Sequence, residues 1–490
     1  MDQIAFTAPE IDYSYLLPQI ILLATSVFVL LADVFSKRNF PRMLATFSFL
    51  GTIAATVAVV SNFYPVDNKM NMIFMDGFSS FLMLIICLIL LVTILISVTY
   101  QRLFTNINSG EYYCLLLLSG LGMMFMVAAG HLILMFVALE LMSISIYVLT
   151  GFHRDNANSI EAALKYFLLG AFASAILLMG FAFIFGATGT LDITAISEYL
   201  VKHPQAVGSG WLLAGIVLTI SGLGFKVSMV PFHMWTPDVY EGAPTVVTGF
   251  MATGVKAAAF AALVRILMVP FDQILVDWTP ILWGAAFLTM TAGNILALVQ
   301  EDIKRMLAYS SIAHGGYLLI GFVAGSGMAQ AGILYYLLAY AFMNLGAFGV
   351  LALLAKKDRE CTTLSDVSGM GLEYPGLGLA MAVFMFSLAG IPPTAGFMGK
   401  LYIFTAAVKS GFVWLVVLGA INSMISIYYY FRVLMVMYFQ TASRPGEQPV
   451  PVIASSVNLA LAVSTLAILY MGIFPSFFWE LAQNSIFALT

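Results

Sequence analysis

Apolar runs about as long as a bilayer is thick follow one another along the whole chain, separated by short polar segments. A spanning helix needs roughly 20 mostly apolar residues. That ruler predicts fourteen spans, at 13–34, 41–62, 75–99, 111–129, 131–151, 159–187, 210–231, 243–270, 278–299, 305–325, 329–355, 376–409, 411–440 and 453–475. Proline and glycine interrupt two of them, the seventh at Pro231 and the twelfth at Gly390-Ile391-Pro392-Pro393-Thr394-Ala395-Gly396. Each interruption is expected to be a broken helix, tolerated at membrane depth where it lines a cavity or lies against protein. The expected fold is an all-α polytopic membrane protein.

Sliding the chain against itself by about 170 residues pairs the fifth and sixth spans with the tenth and eleventh. Tyr147 falls on Tyr317, Gly151 on Gly321, Phe152 on Phe322, Tyr166 on Tyr336, and Ala171-Phe172 on Ala341-Phe342. The matched units lie an odd number of helices apart, so equivalent helices cross in opposite senses. The expected division is a three-helix segment at 1–110, a first inverted repeat at 111–270, a second at 271–440 and a last helix within 441–490. The broken helices occupy corresponding places in the two repeats, which points to a translocation site between them.

Composition agrees: 61% hydrophobic and 9% charged residues, with a mean hydropathy of +0.99, exclude a soluble protein of this length. A net charge of -4 argues against nucleic-acid binding. Cys87, Cys114 and Cys361 lack the spacing of a zinc or iron–sulfur site and are expected to be reduced structural thiols. The N-terminal residues carry Asp2, Glu10 and Asp12 but no Lys or Arg, so the first run is expected to be a retained helix rather than a leader.

Loops after odd-numbered spans hold Lys37, Arg38, Arg42, Arg102, Arg154, Lys304, Arg305, Lys356, Lys357, Arg359, Arg432 and Arg444. The opposite loops hold Lys69, Lys202 and Lys409. The positive-inside rule then places both termini on the outer side. Five bases remain inside spans: Lys165, Lys226, Lys256, Arg265 and Lys400. A charge at the bilayer centre costs at least about 2.5–3.5 kcal/mol on insertion scales, so several of them need a reason.

Lys256 lies mid-span among small residues, while Lys226 and Lys400 flank the two breaks. Carbonyls freed by a break and admitted water suit a lysine that gains and loses a proton. Glu140, the acidic residue deep in a span, is expected to have a basic partner. Lys165 is close enough to its helix end to reach the interface or to join a proton path. Arg265 cannot relay by deprotonating and reads as an anchor whose head reaches the interface. His314 and His233 can relay protons, against the alternative of hydrogen-bonded packing residues, and His131, His153 and His203 look like loop-edge residues. The 28 methionines and Tyr428-Tyr429-Tyr430 are read as packing or lipid-facing residues, and Gly222-Leu223-Gly224 as a helix-packing motif. There is no HExxH motif, no nucleophile elbow and no phosphate-binding loop, since Leu401 follows Gly399-Lys400. The five histidines are not placed as haem-ligand pairs.

The run Lys226-Val227-Ser228-Met229-Val230-Pro231-Phe232-His233-Met234-Trp235-Thr236-Pro237-Asp238-Val239-Tyr240-Glu241-Gly242-Ala243-Pro244-Thr245 closely resembles the seventh-helix signature of the antiporter-like membrane subunits of respiratory complex I, the proton-translocating NADH:quinone oxidoreductase. Asp302 to Ile312 and Ala389 to Lys400 extend the resemblance, which covers essentially the whole chain. Thr236 to Tyr240 is similar to the N branch of that family rather than to L or M, and Lys400 also differs from the Glu usual in M. The chain is shorter than L, which carries a long lateral helix.

The resemblance implies a proton path that uses Glu140 paired with Lys226, together with Lys165, Lys256 and Lys400; His314 joins it as a further relay from its own chemistry alone. It implies no cofactor in this chain, with NADH, FMN, iron–sulfur clusters and quinone in other subunits. The implied partners are an M-type antiporter-like subunit, small K- and J-type subunits and lipids, in a bacterial cell membrane. Two other readings share the buried lysines: a subunit of a multisubunit Na⁺/H⁺ antiporter, and a static membrane scaffold.

Overall fold

The computed structural model describes residues 13–35, 41–63, 68–70, 72–104, 108–271, 275–440, 451 and 454–486. Asp2, Glu10, Asp12, Lys37, Arg38, Arg444 and the side chain of Lys69 lie outside what it describes. A single helical turn at Tyr13–Leu16 runs into α1 (Leu17–Phe35), and α2 (Pro41–Ser61) returns. A short antiparallel ribbon, β1 (Asn68–Met70) with β2 (Ile73–Met75), leads into α3 (Gly77–Tyr100). The Asp76 side chain starts α3 by accepting the Ser79 amide at 2.8 Å, which satisfies an otherwise orphaned donor.

The first repeat begins with α4 (Ser109–Ala128), α5 (Leu132–Thr150) and α6 (Ala157–Thr188). Gly189 ends α6 at φ 72°, a left-handed conformation that glycine adopts without a Cβ penalty. A surface helix, α7 (Ile193–Lys202), is capped by Asp192. The seventh span is broken as expected: α8 (Gly210–Lys226) stops and α9 (Trp235–Gly242) resumes after the turns that hold Pro231. The eighth span is α10 (Thr245–Phe250), a π-helical turn at Met251–Val255 and α11 (Lys256–Met268).

The second repeat runs α12 (Leu275–Ala297), α13 (Ile303–Ala324) and α14 (Gly327–Leu353). After the turn Leu364–Val367 and α15 (Met370–Glu373), a 119° bend leads into α16 (Pro375–Ala389). Then come α17 (Ala395–Lys409) after the second break, and α18 (Val413–Phe439), α19 (Ser455–Ile473) and α20 (Ser476–Gln483). Among the described residues, twelve helices are long and apolar enough to span a bilayer. The two expected spans missing from that number are the seventh and twelfth, each in two shorter pieces.

The repeat is visible in hydrogen bonds. Leu132 N donates to Leu191 O at 2.9 Å and Ile193 N to Gly130 O at 3.0 Å, joining the start of α5 to the start of α7. With every number raised by 171, Ile303 N donates to Thr362 O at 2.8 Å and Leu364 N to Glu301 O at 3.0 Å.

Burial is graded inward. The eighth and eleventh spans are buried along their length, whereas α1, α2, α18 and α19 turn large apolar side chains outward, as a lipid-facing rim does. Within the first repeat, α6 and α8 approach closely at Gly222, where a Cβ would come within 2.7 Å of the Leu177 side chain and 3.0 Å of Ala173 O. The glycine pattern there is a packing device, as expected. Both breaks reach the molecular surface: Pro231, Pro392 and Pro393 are exposed, and Met234 is 77% exposed.

Candidate functional site

Lys226, Lys256 and Lys400 are all buried, at 2%, 1% and 5% exposure. Lys226 closes the last turn of α8, where a cation is favoured by the negative end of the helix dipole. Its ammonium donates to Ser143 Oγ at 2.7 Å and Tyr147 Oη at 3.2 Å, and lies 5.1 and 5.3 Å from the ring centroids of Tyr147 and Tyr166. Tyr166 is in turn stacked at 4.5 Å on Trp235, whose indole donates to Phe225 O at 3.0 Å. The tryptophan of the 226–245 run thus ties the start of α9 to the end of α8. Ser228, at φ 61°, takes the left-handed turn of the break, and its Oγ accepts from Thr236 at 2.7 Å.

Lys256 follows the π turn directly and donates to both the carbonyl and the hydroxyl of Ser311 on α13, the hydroxyl at 2.6 Å. Gly315, one helical turn on from Ser311, lies beside both the first break and Lys256. A Cβ there would be 3.2 Å from Val227 O and 3.8 Å from Lys256 Nζ. Lys400 donates to Leu388 O at 3.1 Å and Ala389 O at 3.0 Å, carbonyls at the C-terminal end of α16, and to Ser423 Oγ at 2.9 Å. Its ammonium also lies 4.7 Å from the Tyr317 ring. Tyr147 and Tyr317, paired in sequence only as repeat markers, each stand beside the lysine of a broken helix.

His314 joins the site from α13. Its Nδ1 is hydrogen-bonded with Tyr336 Oη at 2.5 Å and its Nε2 with Tyr430 Oη at 3.0 Å. Tyr430 continues to Ser310 Oγ at 2.5 Å, one residue before the partner of Lys256. Tyr429 donates to Asn294 at 2.9 Å. The expectation for the tyrosine run therefore needs correcting: Tyr428 is 63% exposed, but Tyr429 and Tyr430 are buried members of a polar network.

Other expectations change as well. Glu140 makes no hydrogen bond to Lys226, though it lies close enough for its charge to act on that ammonium; its Oε1 is buried without a hydrogen-bond partner, and Lys226 donates to hydroxyls one and two turns further along α5. Lys165 shares no hydrogen bond with the other three lysines. Its side chain is 41% exposed and bridges Glu161 and Asp238, each at 2.8 Å, and Arg305 bridges Asp238 at 3.0 Å and Glu241 at 2.6 Å. His233, in the first break, has a buried Nδ1 without a partner and touches none of the lysines through a hydrogen bond.

Arg265 does not reach the interface. It is 1% exposed and grips Asp76 with two bonds of 2.6 Å, because a buried carboxylate at the start of α3 offers a better partner than distant water. Lys304, read as a loop residue, is 1% exposed and donates to Glu360 and to Ala243 O, both at 2.6 Å. Sequence reasoning missed Asp76, at the very start of the third span, and Glu360, in a loop, because a carboxylate at a helix end or in a loop reads as solvated. Cys87, Cys114 and Cys361 are buried free thiols.

The arrangement's chemistry lies in its partners. Ser and Tyr hydroxyls accept from an ammonium and donate to a neutral amine, so Ser143, Tyr147, Ser311 and Ser423 serve either protonation state of the lysine they touch. A carboxylate would favour the ammonium alone. Among the described residues none of the three lysines is hydrogen-bonded to one, and Glu140 reaches Lys226 only through its field.

Residues 129–426 match the family model described as NADH:quinone oxidoreductase/Mrp antiporter, TM. The chain is 46% identical over 479 residues to NADH-quinone oxidoreductase subunit N of Trichlorobacter lovleyi, covering 97% of each. A chain of respiratory complex I from Thermus thermophilus matches with a TM-score of 0.80 at 34% identity, over 95% of this chain and 99% of that one. A chain of the Mrp complex from Dietzia shares the fold, with a TM-score of 0.85 at 20% identity over 96% of each.

Proposed function

The chain belongs to the subunit N family of NADH-quinone oxidoreductase, the antiporter-like membrane subunits of respiratory complex I, and from that premise we propose that it moves protons across the membrane without carrying redox chemistry itself. The path runs through Lys226, Lys256, His314 and Lys400, with Glu140 acting on Lys226. Lys165 belongs to its approach at the loop side, within the cluster that also holds Asp238 and Arg305. Redox cofactors, NADH and quinone act in other subunits, and quinone reduction there shifts the field along the membrane arm.

The observation that carries this reading is that three buried lysines, spread over both repeats, are each hydrogen-bonded to a serine hydroxyl rather than to a carboxylate. A shift of charge near Glu140 favours or disfavours an ammonium at Lys226. Hydroxyls and ordered water then pass the proton on. The two repeats, 111–270 and 271–440, supply access from opposite sides. The neighbours are an M-type subunit, K- and J-type subunits and lipid, in a bacterial cell membrane with both termini outside. The curated relatives compared are bacterial.

The test is NADH-driven proton uptake by inverted membrane vesicles, with NADH:quinone reductase activity recorded in parallel. Deleting the gene abolishes both and complementation restores both. Lys226→Ala in an assembled complex lowers both pumping and coupled NADH oxidation; full retention of both overturns the path. Na⁺/H⁺ exchange with untouched NADH-driven pumping would favour an antiporter instead.

A further inference from the structure

The eighth span carries Lys256 and is held at both ends by carboxylates from elsewhere in the chain, Asp76 buried and Glu360 half-buried. At its start, Glu360 accepts the Thr245 amide and hydroxyl, each at 2.7 Å, the Tyr100 hydroxyl, and the Lys304 ammonium at 2.6 Å. A carboxylate on the first amide of a helix caps it and complements its dipole. At its far end, Arg265 is forked onto Asp76 by two bonds of 2.6 Å and donates to Ser79 at 2.9 Å. Asp76 is the N-cap of α3 and Tyr100 its last residue, so one helix supplies a contact at each end. α3 lies alongside α10, the π turn and α11.

Between the two clamps lies the π turn Met251–Val255, and Lys256 is the next residue. A π turn inserts one extra residue, so relaxing it to α-helix rotates everything on one side by about 100° and slides it by about 1.5 Å. With Thr245 held by Glu360 and Arg265 by Asp76, neither end can take up that rotation. Lys256 therefore stays aimed at Ser311.

We propose that Asp76 and Glu360 are positioning residues for proton transfer: by clamping the eighth span at both ends they preserve the π turn and fix the direction of Lys256. This rests on the reading that Lys256 carries protons. Neither carboxylate touches Lys256, and both act through the helix.

The experiment is the number of protons pumped per NADH oxidised, in inverted vesicles holding the assembled complex, for Glu360→Gln, Glu360→Asp, Asp76→Asn, Asp76→Glu and Lys256→Ala. The ratio is insensitive to the amount of complex that assembles, which a merely structural role would lower. Glu360→Gln and Asp76→Asn are expected to show at least about half the decrement of Lys256→Ala, with Glu360→Asp and Asp76→Glu recovering much of it. If Glu360→Gln blocks assembly, Tyr100→Phe removes one bond to the same carboxylate at almost constant volume and is expected to lower the ratio in the same direction. A lowered ratio in Lys256→Ala with wild-type ratios in the clamp variants overturns the clamps alone. A wild-type ratio in Lys256→Ala overturns the proton path on which they rest.

Discussion

Arg265 and Asp76 are almost out of reach of solvent, so removing either partner strands a buried charge. Arg265→Met is expected to cost about 3–5 kcal/mol, while Asp76→Leu combined with Arg265→Met costs less than the single change, as double-mutant melting of the purified complex would read. Burial opposes the Asp76 charge, but the Arg265 guanidinium and Ser79 outweigh it and hold the carboxyl below its usual range. A lowered carboxyl adds stability that is fully present above the unfolded value of about 4 and is lost as pH falls through the folded one. Melting temperature should therefore drop in acid below about pH 4 more steeply for the native chain than for Asp76→Asn. In the polar network, Tyr430→Phe deletes the bonds to His314 and Ser310 at nearly constant volume and is expected to lower pumping several-fold. Tyr428→Phe, on the outer face, is expected to leave vesicle acidification rates unchanged.

The break in the twelfth span depends on close approach. A Cβ at Gly396 would lie 1.9 Å from Ser387 O, and α17 starts by pressing that glycine onto the end of α16. Gly396→Ala should push the half-helices apart, move Lys400 off the Leu388 and Ala389 carbonyls, and reduce the yield of assembled complex on native gels. Gly411→Ala has open space around it, and the only strain is its φ of 87°, so assembly should fall far less. The breaks were legible in the sequence because a proline deep in an apolar run removes a backbone hydrogen bond, whereas Pro280, near the start of α12, is accommodated within its helix. The π turn was not, since Met251 to Val255 contains nothing that distinguishes it from an ordinary helix; packing, not local propensity, sets it. The three central lysines were equally legible, because a base inside an apolar run has few innocent explanations. Their partners were not: Ser143, Ser311 and Ser423 are ordinary helix residues until tertiary contacts select them.

Across the whole molecule, the repeat could be read from a handful of aromatic and glycine matches, and the hydrogen bonds at Leu132 and Ile303 reproduce its offset to within one residue. Charge pairing over long sequence distances could not be read, as Lys304 with Glu360 and Arg265 with Asp76 illustrate. Loop charges look solvated until the fold brings a buried partner to them. The exposed breaks carry a consequence for the chain's life in the cell. The backbone at Pro231 and at Pro392-Pro393 is unwound and exposed, and unwound backbone that meets lipid finds no hydrogen-bond partner there. An orphan copy, inserted but not yet joined by neighbours, is then a ready target for membrane quality control. Pulse-chase labelling should show a half-life several-fold shorter when the other membrane subunits are deleted, so abundance follows its partners rather than its own synthesis.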